Sequence, residues 1–278
     1  MTRMRPLRRR TVLAVPALGL ALPLLTACSE ESGLSPVEVD PTQPVEGRIS
    51  YGSDPSQFAD LYLPDAAPVA VAVVVHGGFW QAQYGLEYGA PLAESLKAHG
   101  WAAWNIEYRR VGNGGGVPAT LDDVRAAIDK LADLGLDLTT VVGIGHSAGG
   151  HLVTWAASGG GLTHVIDQAG VVDLITAYDE GLGGGAVEAF LGHPPTAADA
   201  AVDPIQQVPL DVPIWCVHAS GDTIVPPSQS EAYVEAATAA GATAELVRVD
   251  GDHFAVIDPD SSAWARTLEI LDSIAPAG

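Results

Sequence analysis

Cysteine is almost missing from this 278-residue chain, with two in all, so no framework of several disulfides can hold it together. Basic residues are scarce as well, at 13 Lys and Arg against 34 Asp and Glu, and five of the 13 (Arg3, Arg5, Arg8, Arg9, Arg10) precede Cys28, where no acid occurs. The remainder carries 8 basic against 34 acidic residues, a balance of −26. Such a surface repels polyanions and excludes nucleic acid as a partner, and the acidity itself serves solubility. The apolar run from Val12 to Leu25 is too short, and too broken by Pro16 and Pro23, to span a membrane. No His, Asp and Glu cluster has metal-ligand spacing and no Gly-rich phosphate loop follows the opening strands, so no metal and no cofactor is expected. Internal repeats are lacking too.

What is present is a 47% hydrophobic composition with glycine and proline scattered between apolar runs, enough for one large core. One catalytic domain over residues 46–278, preceded by a leader (1–27) and a tether (28–45), is the simplest division. The leader has a basic start ending Arg8-Arg9-Arg10, the apolar run, and then Leu25-Thr26-Ala27-Cys28. It resembles a bacterial lipoprotein signal, which implies cleavage before Cys28, lipidation of that cysteine and an extracytoplasmic membrane anchor. A plain signal peptide cut near Ala27, giving a secreted protein, is the alternative. Arg9-Arg10-Thr-Val-Leu13 also resembles a twin-arginine export signal. Residues 29–45 are acidic and proline-dotted, as a tether should be. With Cys28 lipidated, Cys216 has no internal partner; its setting, Val212-Pro-Ile-Trp-Cys-Val217, reads as a buried strand and Cys216 as an inert core residue.

From Arg48 onward short β-branched runs alternate with helical patterns. Gly47–Tyr51 and Ala59–Leu63, separated by a Gly-Ser-Asp-Pro turn, predict an antiparallel opening pair. Strands are expected at Val69–Val75, Ala102–Ile106, Thr140–Ile144, His164–Gln168, Val212–His218 and Glu245–Val249. Helices are expected at Ala90–Ala98, Thr120–Leu134, Ala148–Ala157, Pro227–Ala240 and Ser262–Ile274. The fold class is therefore α/β, with a mostly parallel sheet covered on both faces and reactive loops at the carboxyl ends of its strands. Leu174–Leu210, Gly-rich at 181–185, breaks the rhythm and is expected to form a short cap.

The strongest chemical signal is Gly145-His-Ser147-Ala-Gly149-Gly150 between a buried strand and a helix. A sharp strand-to-helix turn strains the serine backbone, flanking glycines relieve the crowding, and the helix N-terminus favours developing negative charge. A serine hydroxyl needs a base held by a carboxylate. Asp222, in Ser220-Gly-Asp-Thr-Ile-Val-Pro226, and His253, in Asp250-Gly-Asp-His-Phe254, each follow a strand and so fall at the same sheet edge as Ser147. Asp252 is the alternative acid. His76-Gly77-Gly78-Phe79-Trp80 follows another strand, and its glycines allow N–H groups to turn toward an oxyanion. His76 reads as a pin for that loop, His146 and His151 as packing or supporting residues, and Glu107 with Arg110 as a buried ion pair behind the site.

These motifs resemble the esterase/lipase branch of the α/β-hydrolases, and H-G-G-x-W resembles its kynurenine formamidase-like and BD-FAE-like members. The resemblance runs from about Gly47 to Ile274. It implies an α/β-hydrolase fold and an oxyanion hole from N–H groups of Gly78 or Phe79 and of Ala148. The expected activity is acyl transfer to water by Ser147, His253 and Asp222. Trp80, Tyr84 and Tyr88 are expected to wall the substrate site with Phe79, and Phe190 and Leu191 to reach it from the cap. Small or medium carboxylic esters are the first expectation for substrate and an arylformamide the second, with acylated carbohydrates or xenobiotics third. A non-catalytic binding domain of the same fold is the alternative from another class, and it predicts a broken triad. The residues leave oligomeric state open.

Overall fold

The computed structural model describes residues 46–275. Cys28, the expected leader (1–27) and the whole expected tether (28–45) lie outside the described residues. An eight-stranded sheet runs in the order β1-β2-β4-β3-β5-β6-β7-β8. Its strands are β1 (Gly47–Ser50), β2 (Phe58–Tyr62), β3 (Val71–Val75), β4 (Ala102–Ile106), β5 (Val141–His146), β6 (His164–Gln168), β7 (Ile214–Ala219) and β8 (Ala244–Val249). The pairs β1–β2 and β2–β4 are antiparallel, and every other pair is parallel. The expected opening hairpin is present, and it docks on β4, a pairing that no local pattern announces.

Strand β3 shows why the sheet must be covered twice. All five of its residues are buried. Alternation sends Val71, Val73 and Val75 into one core and Ala72 and Val74 into the other. The first core packs under α2 (Ala119–Asp129), α3 (Ala148–Ala157) and α6 (Ser228–Ala239), and the second under α1 (Ala90–Ala98) and α7 (Ser262–Ile274). Helix α2 keeps the expected apolar spacing, with Leu121, Val124, Ala127 and Ile128 buried, and it tightens to a 3-10 turn over Lys130–Asp133. The indole of Trp264 on α7 donates to Ser95 of α1 (2.8 Å), locking the second layer. Cys216 is a free, fully buried thiol on β7, and burial pushes it well above the ordinary thiol range, so it is not a nucleophile. No helix among the described residues is long and apolar enough to cross a membrane.

Residues 174–210 hold two short helices, α4 (Leu174–Asp179) and α5 (Ala186–Leu191), joined by 3-10 turns and left-handed glycines. This insertion packs beside the loop after β3. Gly183 lies against the Phe79 ring, and Phe190 stacks on Trp80 with centroids 4.5 Å apart.

Candidate active site

The loops that follow β3, β5, β7 and β8 meet at the carboxyl edge of the sheet. Ser147 sits between β5 and α3 with φ +56° and ψ −118°, a region an L-residue occupies only when its surroundings force it. Its N–H donates to the Gln168 carbonyl on β6 (2.9 Å), and its carbonyl accepts from His151 (3.2 Å) and Val171 (3.3 Å), so the strained turn is clamped on three sides. Gly149 is required by approach: a Cβ there would collide with the Val75 carbonyl of β3. The side chain is only 2% exposed and lines a cavity of about 110 Å³.

His253 lines the same cavity, and its Nδ1–H donates to Asp222 Oδ2 at 2.6 Å. Of the two candidate acids only Asp222 meets His253 among the described residues; Asp252 Oδ1 accepts from the N–H groups of Phe254 (3.0 Å) and Ala255 (3.2 Å), shaping the turn instead. Asp222 Oδ1 accepts from the N–H groups of Ile224 (2.9 Å) and Val225 (3.0 Å). Burial works to raise the Asp222 carboxyl, but hydrogen bonds from His218 and His253 outweigh it and hold the group far below the usual carboxylate range. It is therefore an anion throughout the ordinary pH range. His146 lies with its ring 4.4 Å from that of His253 and donates through Nε2 to the His253 carbonyl (2.9 Å). Burial, with the neighbouring His253, pushes His146 down to about 3, so it stays neutral and acts as a fixed donor. No Ser147–His253 hydrogen bond is formed among the described residues; the two side chains share the cavity, and such contacts tighten when substrate arrives.

The loop after β3 is the third component. Gly78 (φ +107°), Phe79 (+49°) and Trp80 (+54°) all carry positive φ, and a Cβ at Gly78 would overlap the Tyr84 ring. Three such residues in a row cost several kcal/mol, on the order of 1–3 each for the non-glycines. The compensation is a buried scaffold. His76 Nδ1 meets the Gly77 carbonyl (2.8 Å), its Nε2 meets Glu107 Oε1 (3.3 Å), and its ring stacks on Tyr108 at 4.4 Å. Tyr108 donates its hydroxyl to the His76 carbonyl (2.8 Å), and Arg110 pairs with Glu107 at 3.0 Å. Burial raises the Glu107 carboxyl, yet His76, the Tyr108 N–H and Arg110 bring it below its usual value. The expected pin and buried ion pair are both in place. The N–H groups of Gly78, Phe79 and Ala148 donate to no acceptor among the described residues, as an oxyanion hole requires.

The cavity wall differs from expectation at three residues, Trp80, Phe190 and Leu191. Tyr84, Tyr88 and Phe79 line it, but Trp80 does not. Its indole is turned into the core, where it is fully buried between Phe190 and the edge of His151 (5.1 Å). Phe190 and Leu191 are buried with it and contribute nothing to the cavity. Sequence reasoning missed Ile224, Phe254 and Ile257, which complete the wall; the signal was their position beside Asp222 and His253. Phe254 and Tyr88, 52% and 43% exposed, form its rim. Among the described residues no group of three or more His, Cys, Asp or Glu side chains could hold a metal ion.

Comparison with known proteins places the chain. The sequence profile of the BD-FAE family matches residues 59–236, from β2 into α6 and more than half of the chain. Esterase LipC of Mycobacterium tuberculosis is 29% identical over 224 residues, 68% of this chain, and the chain spans 54% of that relative's length. Among solved structures, the propionate-bound thermophilic esterase Est2 of the planctomycete Thermogutta terrifontis has a TM-score of 0.67 at 24% identity, covering 84% of this chain and 97% of that one. A truncated carbohydrate esterase from gut microbiota has a TM-score of 0.70 at 22% identity, covering 87% and 99%. At these identities the structural likeness speaks for the fold, which is that of the α/β-hydrolases. With its profile covering the elbow, the oxyanion loop and Asp222 alike, the chain belongs to the BD-FAE family.

Proposed function

We propose that the protein is a serine hydrolase that cleaves esters of small carboxylic acids through an acyl-enzyme on Ser147. The observation that carries this reading is the strained Ser147 elbow opening into the cavity that His253, bound to Asp222, also lines. Esterase relatives within the family and fold support the reaction class.

In this mechanism Ser147 Oγ attacks the ester carbonyl carbon as His253 Nε2 takes its proton. Asp222 holds the imidazole in the Nδ1–H tautomer and stabilises the imidazolium. The free N–H groups of Phe79 or Gly78 and of Ala148 receive the negative oxygen. His253 returns the proton to the departing alcohol, and water repeats the sequence on the acyl-enzyme. A cavity of about 110 Å³ is smaller than the roughly 150 Å³ that admits benzene into an engineered core, so the acyl group is short. The aromatic rim suits an apolar or aromatic alcohol, and it also keeps an arylformamide as the second reading. An intact triad speaks against a binding-only domain.

Ser147→Ala should lower turnover of p-nitrophenyl acetate by at least about 10⁴-fold and abolish labelling by a fluorophosphonate probe. Retained labelling at another residue would overturn the assignment. N-formylkynurenine tested in parallel separates the two substrate readings by kcat/KM. We further propose export and lipid anchoring through Cys28, supported by the leader's basic, apolar and Leu-Thr-Ala-Cys segments. Mass spectrometry of the mature N-terminus tests this, and an unmodified Cys28 would refute it.

A further inference from the structure

Behind the triad, on the side of Asp222 away from the substrate, lies a fully buried imidazole that the mechanism above does not use. His218 is on β7, four residues before Asp222, and is 1% exposed. Its Nε2 is 2.9 Å from the Val225 carbonyl and 3.3 Å from Asp222 Oδ2. Its Nδ1 is 2.7 Å from Ser230 Oγ on α6. Both groups facing Nε2 are pure acceptors, so Nε2 carries the proton, and Ser230 then donates its hydroxyl to Nδ1. Asp222 Oδ2 thereby meets two imidazoles: His253 Nδ1–H donates to it at 2.6 Å, and His218 Nε2, whose N–H is given to the Val225 carbonyl, lies 3.3 Å away.

We propose that His218, oriented by Ser230, is a positioning residue of the triad, a second imidazole whose polarised N–H lies beside Asp222 and sets how strongly that carboxylate draws on His253. The proposal rests on the serine-hydrolase reading. The arrangement has a direct chemical consequence. A carboxylate oxygen beside a second N–H dipole is less basic, so it stabilises the His253 imidazolium less. The other groups in range are accounted for: His146 is near Asp222 and held neutral, and Asp167 on β6 is a buried acid whose carboxyl feels His218. Arg248, the neighbour of His218 on β8, is 61% exposed at its side chain and paired with Glu231.

The test measures kcat, KM and the pH dependence of kcat/KM on p-nitrophenyl acetate for the full chain. His218→Leu removes the donor and should lower kcat roughly 10- to 100-fold with KM within about twofold. It should also move the acid limb of kcat/KM upward by about one pH unit. His218→Gln, which can return an N–H near the Nε2 position, should recover kcat to within about fivefold and restore the limb. A folded His218→Leu variant with the parental limb would overturn the proposal, because a residue that merely packs would lower kcat without moving it. Should His218→Leu fail to fold, Ser230→Ala removes only one oxygen; it should shift the limb in the same direction by less, and an unmoved limb there overturns the proposal equally. Ser147→Ala, run alongside, keeps the two readings apart. Its retained labelling sinks the hydrolase assignment, whereas its lost labelling beside unaltered pH profiles in the His218 and Ser230 variants sinks only the role of His218.

Discussion

The two flanks of the Ser147 cavity are held by opposite means. On the proposed oxyanion flank the atoms at stake are backbone N–H groups, and the chain fixes them with strain: three consecutive positive φ angles, pressed into place by Trp80, Tyr108 and the buried Glu107–Arg110 pair. On the proposed acid–base flank they are side-chain nitrogens, and backbone strain is slight. There the one carboxylate that titrates far from its ordinary value, Asp222, accepts from two backbone N–H groups and from His253, with the His218 imidazole 3.3 Å away. The difference follows from the chemistry. An amide donor has a fixed charge and needs only direction, so rigid packing suffices. A base must exchange a proton at working pH, so its neighbours must set its energy as well as its place.

The largest effect comes from breaking the acid–base flank at its anion. Asp222→Asn should lower kcat about 10⁴-fold, equivalent to roughly 5.5 kcal/mol, with the fold intact by circular dichroism. Breaking the oxyanion flank should show up differently. Trp80→Ala removes a fully buried indole and should destabilise the protein by about 3–5 kcal/mol in urea unfolding, with kcat falling as the loop relaxes. A loss of kcat without a loss of stability there would erase the contrast between the flanks.

A pH experiment sharpens it further. Asp167, buried on β6 beside Cys216, is pushed up to about 7 by burial, with the nearby His218, the Cys216 thiol and the Gly170 N–H only partly opposing that rise. The unfolded chain ionises this group near pH 3.9, so its neutral form favours the folded state at low pH. Its contribution is greatest below about pH 4, is lost as pH rises toward about 7, and is constant above. Asp167→Asn should therefore flatten the unfolding midpoint between pH 4 and pH 7, an effect on the order of 1–4 kcal/mol. The smallest effect belongs to the rim shared by both flanks. Tyr88→Ala, at a half-exposed position, should raise KM roughly two- to tenfold and leave kcat near its parental value.

The sequence and the structure agree where function depends on order along the chain. The eight strands, the Ser–Asp–His succession and the elbow were all legible because a buried parallel strand and its following loop leave local marks. Trp80 departs from the expected wall because its burial depends on Phe190, more than a hundred residues away along the chain, and nothing in the local motif announces that partner. His218 was passed over for a related reason. A histidine in an apolar strand reads as core, and only the return of α6 and the Asp222 turn reveals what its two nitrogens face. The short helices α4 and α5 escaped notice because six-residue helices between left-handed glycines carry too few turns for a period to register.

The stack of Phe190 on Trp80 has a consequence for remodelling this chain. Phe190 also accepts the Val117 N–H through its carbonyl (2.9 Å), so the insertion is bolted to the body at the point where it touches the indole. Lengthening or trimming residues 174–210 would therefore pull on the Gly78–Trp80 loop, whose N–H groups we propose receive the oxyanion. The insertion lines none of the cavity, yet it shares a hinge pin with that loop, so on the proposed mechanism its remodelling retunes the rate.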